Sequence, residues 1–536
     1  KTMTNRSIMI QGTGSHVGKS ILVCALCRIL KQDGYRVAPF KAQNMALNSF
    51  VTKDGKEMGR AQVAQAEAAG IEPAVEMNPI LLKPTGDCGS QVVVMGKPVG
   101  NMTAREYYQN KNAFVSTIKG AYNILSSQVD IVVIEGAGSP AEINLKDGDI
   151  VNMGMAEMAS SPVLLVTDID RGGSFAWVVG TLELLTAREK DRVKGIIFNK
   201  FRGDKGILKP GLDMLEDRIH KPVVGVIPYM HNLGIDDEDS VSLEHEHEHT
   251  ERQKGNGAWL NSAISTTSYL QSSAFSLQPI TDIAVIKLPR ISNFTDFNVF
   301  SHEKEVKVRF VDRAGDVGRP DLLIIPGTKN TIGDLRFLRE RGIAGQIIRL
   351  SKEGAMVMGV CGGYQMLGLQ INDPYHVESS EDGVQGLGLL NVTTTFAVEK
   401  QTFQVKAHLL KYENLFYVDG ELTGYEIHMG ETVSGSGNPA RPFARISERA
   451  GKAVEIFDGC VSDRGNVLGT YIHGIFDNDK FRARLIKHLR LKKGIESVDG
   501  TVLSYHKRKE EKYDTLADIV RGSIDMGMVY KILGME

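Results

Sequence analysis

The apolar positions of this chain fall into short continuous runs separated by longer stretches with helical spacing. In the first 230 residues the runs lie at 8–10, 35–40, 129–134, 162–167, 193–198 and 223–228. Runs of this length, bounded by turn residues, predict strands buried on both faces. Between them, 20–30 carries helical apolar spacing without Pro or Gly, 58–69 reads as helix, and 103–127 predicts one or two more. The segment Asn78 to Pro84 precedes a short predicted strand at 92–95. Alternation of this kind predicts an α/β fold, a doubly wound parallel sheet with helices on both faces. The rhythm restarts with predicted strands at 283–288, 321–327 and 355–360, a helical stretch at 335–350, and an apolar run ending at His473. A second doubly wound α/β domain follows from that.

Length and composition sharpen this division. A chain of 536 residues is too long for one core. We partition it as 1–232, a linker at 233–279, 280–490, and a C-terminal helical segment at 491–536. The linker holds an acidic run, alternating Glu and His from Glu244 to His249, and a Ser/Thr-rich tract. Such low-complexity sequence predicts a solvated connector rather than a metal site. With 63 Lys+Arg against 65 Asp+Glu, the formal charge of −2 gives no pull toward nucleic acid or an anionic membrane, so neither is expected as a partner. No apolar stretch reaches membrane-span length, and the first ten residues lack a signal-peptide core. The five cysteines, at 24, 27, 88, 361 and 460, form no disulfide framework, which predicts a reducing cytoplasm. Cys24 and Cys27, a C-x-x-C in mid-helix, read as small buried thiols rather than a redox pair.

The first candidate site is Gly12 to Ser20, GTGSHVGKS, between a predicted strand and a predicted helix. Small residues there let backbone N–H groups face an anion, Lys19 can reach the outer phosphates of a nucleotide, and the Ser20 hydroxyl can join a Mg2+ shell. Thr13 stands where the strict phosphate-loop pattern has its first Gly; Thr13, Gly14, Val17, Gly18, Lys19 and Ser20 are the predicted nucleotide contacts. Lys41 ends the second strand, where it can steady a transferring phosphoryl group, although a solvated lysine fits the pattern as well. The loop 42–49 suits the lining of a site. Glu135 ends a buried strand beside a Gly-rich turn and is the expected second Mg2+ ligand after Ser20. The acids, Arg and glycines of Asp168 to Gly173 fit either a contact to Mg2+, phosphate or a carboxylated substrate, or a helix cap with a surface ion pair. Asn199 can pair with both edges of adenine.

In the second half, Gly359 to Leu367, GVCGGYQML, places Cys361 at a strand-to-helix turn, a nucleophile elbow whose glycines allow the sharp bend. A nucleophile needs a base, and His473 ends another strand of the same half; the predicted oxyanion donors are the N–H groups of Gly362 and Gly327.

The order of GTGSHVGKS, PFKAQNMALNS, IEGAGSPAEINL, NMGMAEM, DIDRGG, PGTKNT, GVCGGYQMLG, GYEIHMGET and GTYIHGIFDN closely resembles the cobyric acid synthase family of cobalamin biosynthesis. The likeness spans nearly the whole chain apart from about 236–278. It implies an N-terminal P-loop ligase domain of the dethiobiotin-synthetase type and a C-terminal class I glutamine amidotransferase domain. By that resemblance the cofactors are ATP and Mg2+, and the substrates are L-glutamine and the corrinoid adenosylcobyrinic acid a,c-diamide, amidated at carboxylates b, d, e and g. It further implies Cys361 as nucleophile, His473 as base and acid, and Asp149 and Asp170 as groups orienting the carboxylate or the ammonia. Many class I glutaminases carry an acid two residues after the His. Ile475 stands there, so the expectation is a pair without a third member. His428 in the GYEIHMGET block is either part of a corrinoid surface or structural. Cobyrinic acid a,c-diamide synthase shares both domain types and is the nearest alternative. A ParA/MinD-like ATPase switch is the alternative from another class, but it leaves Cys361 unexplained and lacks the early signature lysine.

Overall fold

The computed structural model describes residues 6–85, 89–230, 281–435, 440–495 and 504–535. The predicted linker, with its Glu/His run, and Cys88 lie outside them. The chain forms two compact units, Lys1–Glu238 with Ser504–Glu536, and Asp239–Leu503.

The first unit is built on six parallel strands, β1 (Arg6–Gly12), β2 (Val37–Phe40), β3 (Ile131–Glu135), β4 (Val163–Asp168), β5 (Val193–Phe201) and β6 (Val223–Pro228), in the order β6-β5-β4-β1-β3-β2. Alternate residues feed opposite cores, as a two-faced sheet requires. Ile8, Ile10, Val133 and Leu164 face one side with the helix Lys19–Gln32; Met9, Val132, Ile134 and Leu165 face the other. Because β1 lies between β3 and β4, the turn after Gly12 falls where the chain order reverses, the crevice in which such sheets bind ligands.

Two features depart from the sequence expectation. The stretch 42–49 is not wholly loop: Gln43–Met45 pairs in parallel with Ile80–Pro84, which continues into an antiparallel Gly89–Val94 and Lys97–Thr103. The C-terminal helices belong to the first unit. Tyr513, Leu516 and Val520 of helix Tyr505–Arg521 enter the core beside helix Lys19–Gln32, and Arg28 pairs with Glu510 (2.8 Å) and Asp514 (2.7 Å). Asp525 N–H then donates to Val224 O on β6 (2.8 Å). The unit is therefore completed by residues that follow the second unit in sequence.

The second unit centres on β7 (Thr281–Ile286), β8 (Val306–Val311), β9 (Leu322–Ile325), β10 (Met356–Val360), β13 (Cys460–Val461) and β14 (Val467–Thr470), ordered β8-β7-β9-β10-β14-β13. All its pairings are parallel except that of β13 with β14. Between β10 and β13 the chain makes a mostly antiparallel sheet around β11 (Val392–Leu409) and β12 (Leu422–Ser434), which the sequence pattern did not announce. The predicted helix at 335–350 is two, Thr331–Glu340 and Ile343–Lys352, divided by Gly342 at φ 70°.

Candidate active sites

In the first unit, Gly12–Ser20 is the predicted strand–loop–helix turn. Gly18 has φ 98°, and a Cβ there would lie 2.2 Å from Asn199 Nδ2, so geometry and space both demand glycine. The following helix starts from Gly18, which has no side chain to cap it, and a helix N-terminus of this kind suits an anion. Lys19 Nζ donates to Gly14 O and Gly138 O, both at 3.0 Å, which curls it over the loop. Thr13 ties the loop to β4 through its N–H to Val166 O (2.9 Å) and its hydroxyl to Thr167 (3.1 Å). A cavity of about 250 Å³ opens beside the loop, bordered by Thr13, Gly14, His16, Asp168, Arg171 and Trp177.

Glu135, buried at the end of β3, gathers the other predicted groups. Its carboxylate accepts from Ser20 Oγ (2.8 Å), Lys41 Nζ (2.9 Å) and Gln65 Nε2 (2.6 Å). Burial pushes this carboxyl up, but the charge of Lys41 and the three hydrogen bonds outweigh it and hold it below the ordinary glutamate value. Lys41 is therefore a buried ion-pair partner, not a solvated lysine. The hydroxyl and carboxylate oxygens of Ser20 and Glu135 meet beside the loop, a donor set suited to a hard cation that also takes phosphate oxygens. Among the described residues, no three His, Cys, Asp or Glu side chains converge on a protein-only metal site.

Other predicted residues are placed differently. Asp149 accepts backbone N–H groups from Val151 (2.8 Å), Asn152 (3.0 Å) and Gly154 (2.9 Å), so both its oxygens hold the start of a short helix. That geometry gives it a backbone-organising role and leaves the substrate-orienting role unsupported. Asp170 pairs with Arg202 at the surface (2.9 Å), and Gly173, not an acid, occupies the cap position of the next helix. Asp168 instead binds Lys200 (2.8 Å), which also reaches His16 O (2.6 Å) and braces the phosphate loop. Asn199 lies under that loop with Nδ2 donating to Val17 O (2.8 Å), while its buried Oδ1 has no protein partner. One edge of the amide is thus already used.

In the second unit, β10 and β14 run in parallel with Val360 opposite Thr470, so Cys361 and His473 emerge from neighbouring strand ends. Cys361 has φ 52° and ψ −111°, a strained conformation for a side-chain-bearing residue, and its N–H donates to Thr470 O (2.8 Å). The glycines let the elbow close: a Cβ on Gly363 would lie 1.9 Å from Ile325 O. Gly327 sits against both reactive groups, since its Cβ would come 3.1 Å from His473 Cε1 and 3.6 Å from Cys361 Cβ. A Cβ on Gly362 would come 2.9 Å from Thr328 Cγ2. Both predicted oxyanion residues therefore adjoin the elbow.

His473 lies beside Cys361, whose Sγ contacts Ile427 O (3.5 Å). Its ring stacks on Tyr425 with centroids 5.3 Å apart, and its backbone pairs with Tyr425 in both directions. The expected absence of a third group is corrected here: His473 Nδ1 lies 2.7 Å from Asp296 Oδ2. Asp296 comes from a different element, the 3₁₀ helix Phe294–His302 after β7. Desolvation pulls the imidazole down, yet the Asp296 charge and hydrogen bond, with the Cys361 contact, push its pKa up to about 10. An imidazolium beside a sulfur nucleophile is an arrangement for acyl transfer. His428 stacks on Tyr471 at 3.8 Å, with Nδ1 near Gly430 O (2.9 Å).

Comparison with known proteins agrees with this pairing of sites. Residues 8–242 match the CobQ/CobB/MinD/ParA nucleotide binding domain, and 282–481 match the CobB/CobQ-like glutamine amidotransferase domain. Cobyric acid synthase of Alkaliphilus metalliredigens is 53% identical over 531 residues, 98% of this chain and 100% of that protein. This chain belongs to the cobyric acid synthase family. The family's Clostridium tetani member is 52% identical over 98% of this chain and 99% of its own length; that of Clostridium botulinum (strain ATCC 19397 / Type A) is 51% identical over 99% of each. As a member of this family, the chain is an ATP-dependent, glutamine-using ligase with a nucleotide-binding domain. Among the described residues no helix is long and apolar enough to cross a membrane.

Proposed function

We propose that this enzyme amidates carboxylates b, d, e and g of adenosylcobyrinic acid a,c-diamide, with ATP activating each carboxylate and glutamine supplying each nitrogen. The observation that carries the reading is one chain holding both a phosphate loop with a Lys41–Glu135 pair at its side and a Cys361–His473 pair at an elbow. The named relatives, all cobyric acid synthases matched end to end, support this substrate over the a,c-diamide synthase reaction.

A carboxylate does not release oxide to ammonia, so its oxygen must first take the γ-phosphoryl group, giving an acyl phosphate and ADP. Ammonia then adds to the carbonyl, phosphate leaves, and the amide remains. Lys19 neutralises charge on the transferring group, and Lys41 keeps Glu135 ionised. Mg2+, held by Ser20 and Glu135, would supply the remaining positive charge. At the other site, the Cys361 sulfur attacks the glutamine carboxamide and the His473 imidazolium gives its proton to the departing ammonia. Water, deprotonated by His473, then opens the thioester to glutamate and the free thiol. Gly327 and Gly362 flank the carbonyl oxygen as donors. The free, buried cysteines at 24, 27, 361 and 460 support a cytoplasmic location.

Incubation with ATP, Mg2+, glutamine and the diamide substrate tests the reading, with product amides counted by mass spectrometry. Four new amides are expected. A product carrying none, or ATP turnover raised by lipid or DNA instead, contradicts it.

A further inference from the structure

The sequence offers no acid two residues beyond His473, yet the fold brings one to it from 177 residues away in sequence. We propose that Asp296 is the positioning residue of the glutaminase site. It binds His473 Nδ1, fixes the ring so that Nε2 serves Cys361, and keeps the imidazole protonated for release of ammonia. This rests on the reading of Cys361 and His473 given above.

The placement is built rather than incidental. Asp296 is only 6% exposed, and its second oxygen accepts Gly474 N–H (3.3 Å), so the carboxylate grips both the ring and the backbone that follows it. Its own helix is locked by Phe297 and Phe300, whose rings lie 5.9 and 4.9 Å from that of Phe476 in the same turn as His473. Asn293, at φ 53°, starts that helix and donates to the hydroxyl of Tyr425 (3.2 Å), the residue stacked on His473. The groups facing the imidazole are Asp296 from the 3₁₀ helix, Cys361 from the elbow and Tyr425 from β12, with Asp477 in the turn beyond. Of these, Asp296 alone is a carboxyl group in hydrogen-bond contact with the ring. In hydrolases with a Ser-His-Asp arrangement, a buried carboxylate of this kind selects the tautomer and stabilises the imidazolium; here it arrives by a separate route.

Asp296→Asn tests the proposal, because the amide keeps the shape and loses the charge. Glutamine hydrolysis should fall about 10²-fold or more, while ligation with added ammonium stays within about twofold. The alkaline limb of kcat/KM for glutamine, near pH 10 in the native enzyme, should move down toward or below the ordinary histidine value of about 6.5. A merely structural role would not move that limb. Unchanged hydrolysis with an unmoved limb would overturn the proposal. Cys361→Ala is assayed in parallel: if it still hydrolyses glutamine, the site assignment itself fails, whereas an inactive Cys361→Ala beside a normal Asp296→Asn removes only the role of Asp296. Should Asp296→Asn not fold, the native enzyme gives the answer by proton NMR. A downfield Nδ1–H signal that His473→Gln abolishes should persist up to about pH 10, and its absence at neutral pH would overturn the proposal.

Discussion

The two strand-to-helix turns solve opposite problems. At Gly12–Ser20, glycine lies at the left-handed position so that amides and a lysine surround an anion; at Cys361, the side chain itself takes the strained position so that a sulfur is held out. Each is backed by a buried carboxylate against a cation, Glu135 with Lys41 at 2.9 Å and Asp296 with His473 at 2.7 Å. The ordinary lysine value of about 10.4 lies well above neutrality. Histidine depends on the carboxylate to remain charged when buried. The first pair serves to hold fixed charge near phosphate, and the second to hold a proton that must move.

The comparison breaks most sharply at the turns themselves. Lys19→Ala should lower amidation by about 10²-fold or more with glutamine or ammonium alike, with glutaminase activity retained, measured as ADP and glutamate release. Next in size, Glu135→Gln leaves Lys41 buried beside a neutral group, and should destabilise the first unit by about 3 kcal/mol in urea unfolding while the second unit's transition stays in place.

The pH responses of the two pairs should run in opposite directions. Glu135 has a depressed folded pKa, so its contribution is complete above the unfolded value of about 4.3 and is lost as pH falls through the folded value. His473 has a raised one, so its contribution is complete below about pH 6.5 and is lost as pH rises toward about 10. Calorimetry from pH 7 to 10 should therefore lower the transition of the second unit more than that of the first. The smallest effect is expected at Arg28→Ala, which removes the tie from helix Lys19–Gln32 to two partly exposed acids of helix Tyr505–Arg521, Glu510 and Asp514, and should cost the first unit about 1 kcal/mol.

The residues legible in the sequence were those at ends of buried parallel strands. Lys41, Glu135, Cys361 and His473 each follow a continuous apolar run, and such ends converge on one edge of a sheet, so both sites and both sheets could be read from pattern. Asp296 follows no strand end. It lies in a short 3₁₀ helix among Phe294, Phe297 and Phe300, and its role depends on packing against Phe476, which periodicity does not encode. A polar residue inside an aromatic cluster was the available signal. Asp149 was ambiguous in the other direction, because a loop acid amid glycines fits a backbone cap as well as a substrate contact; its three amide hydrogen bonds show the first role and leave the second unsupported. The antiparallel β11–β12 pair escaped notice because β11 alternates buried and half-buried positions only at its two ends, around an open middle, and β12 alternates irregularly.

Nitrogen release and carboxylate activation are proposed to occupy separate sites in one chain. Exchanging the nitrogen source in Cys361→Ala tests this separation most directly, with amides counted by mass. The variant should give no amidation from glutamine and near-native amidation from ammonium. Loss of both activities in a folded protein, or survival of the glutamine reaction, would contradict it.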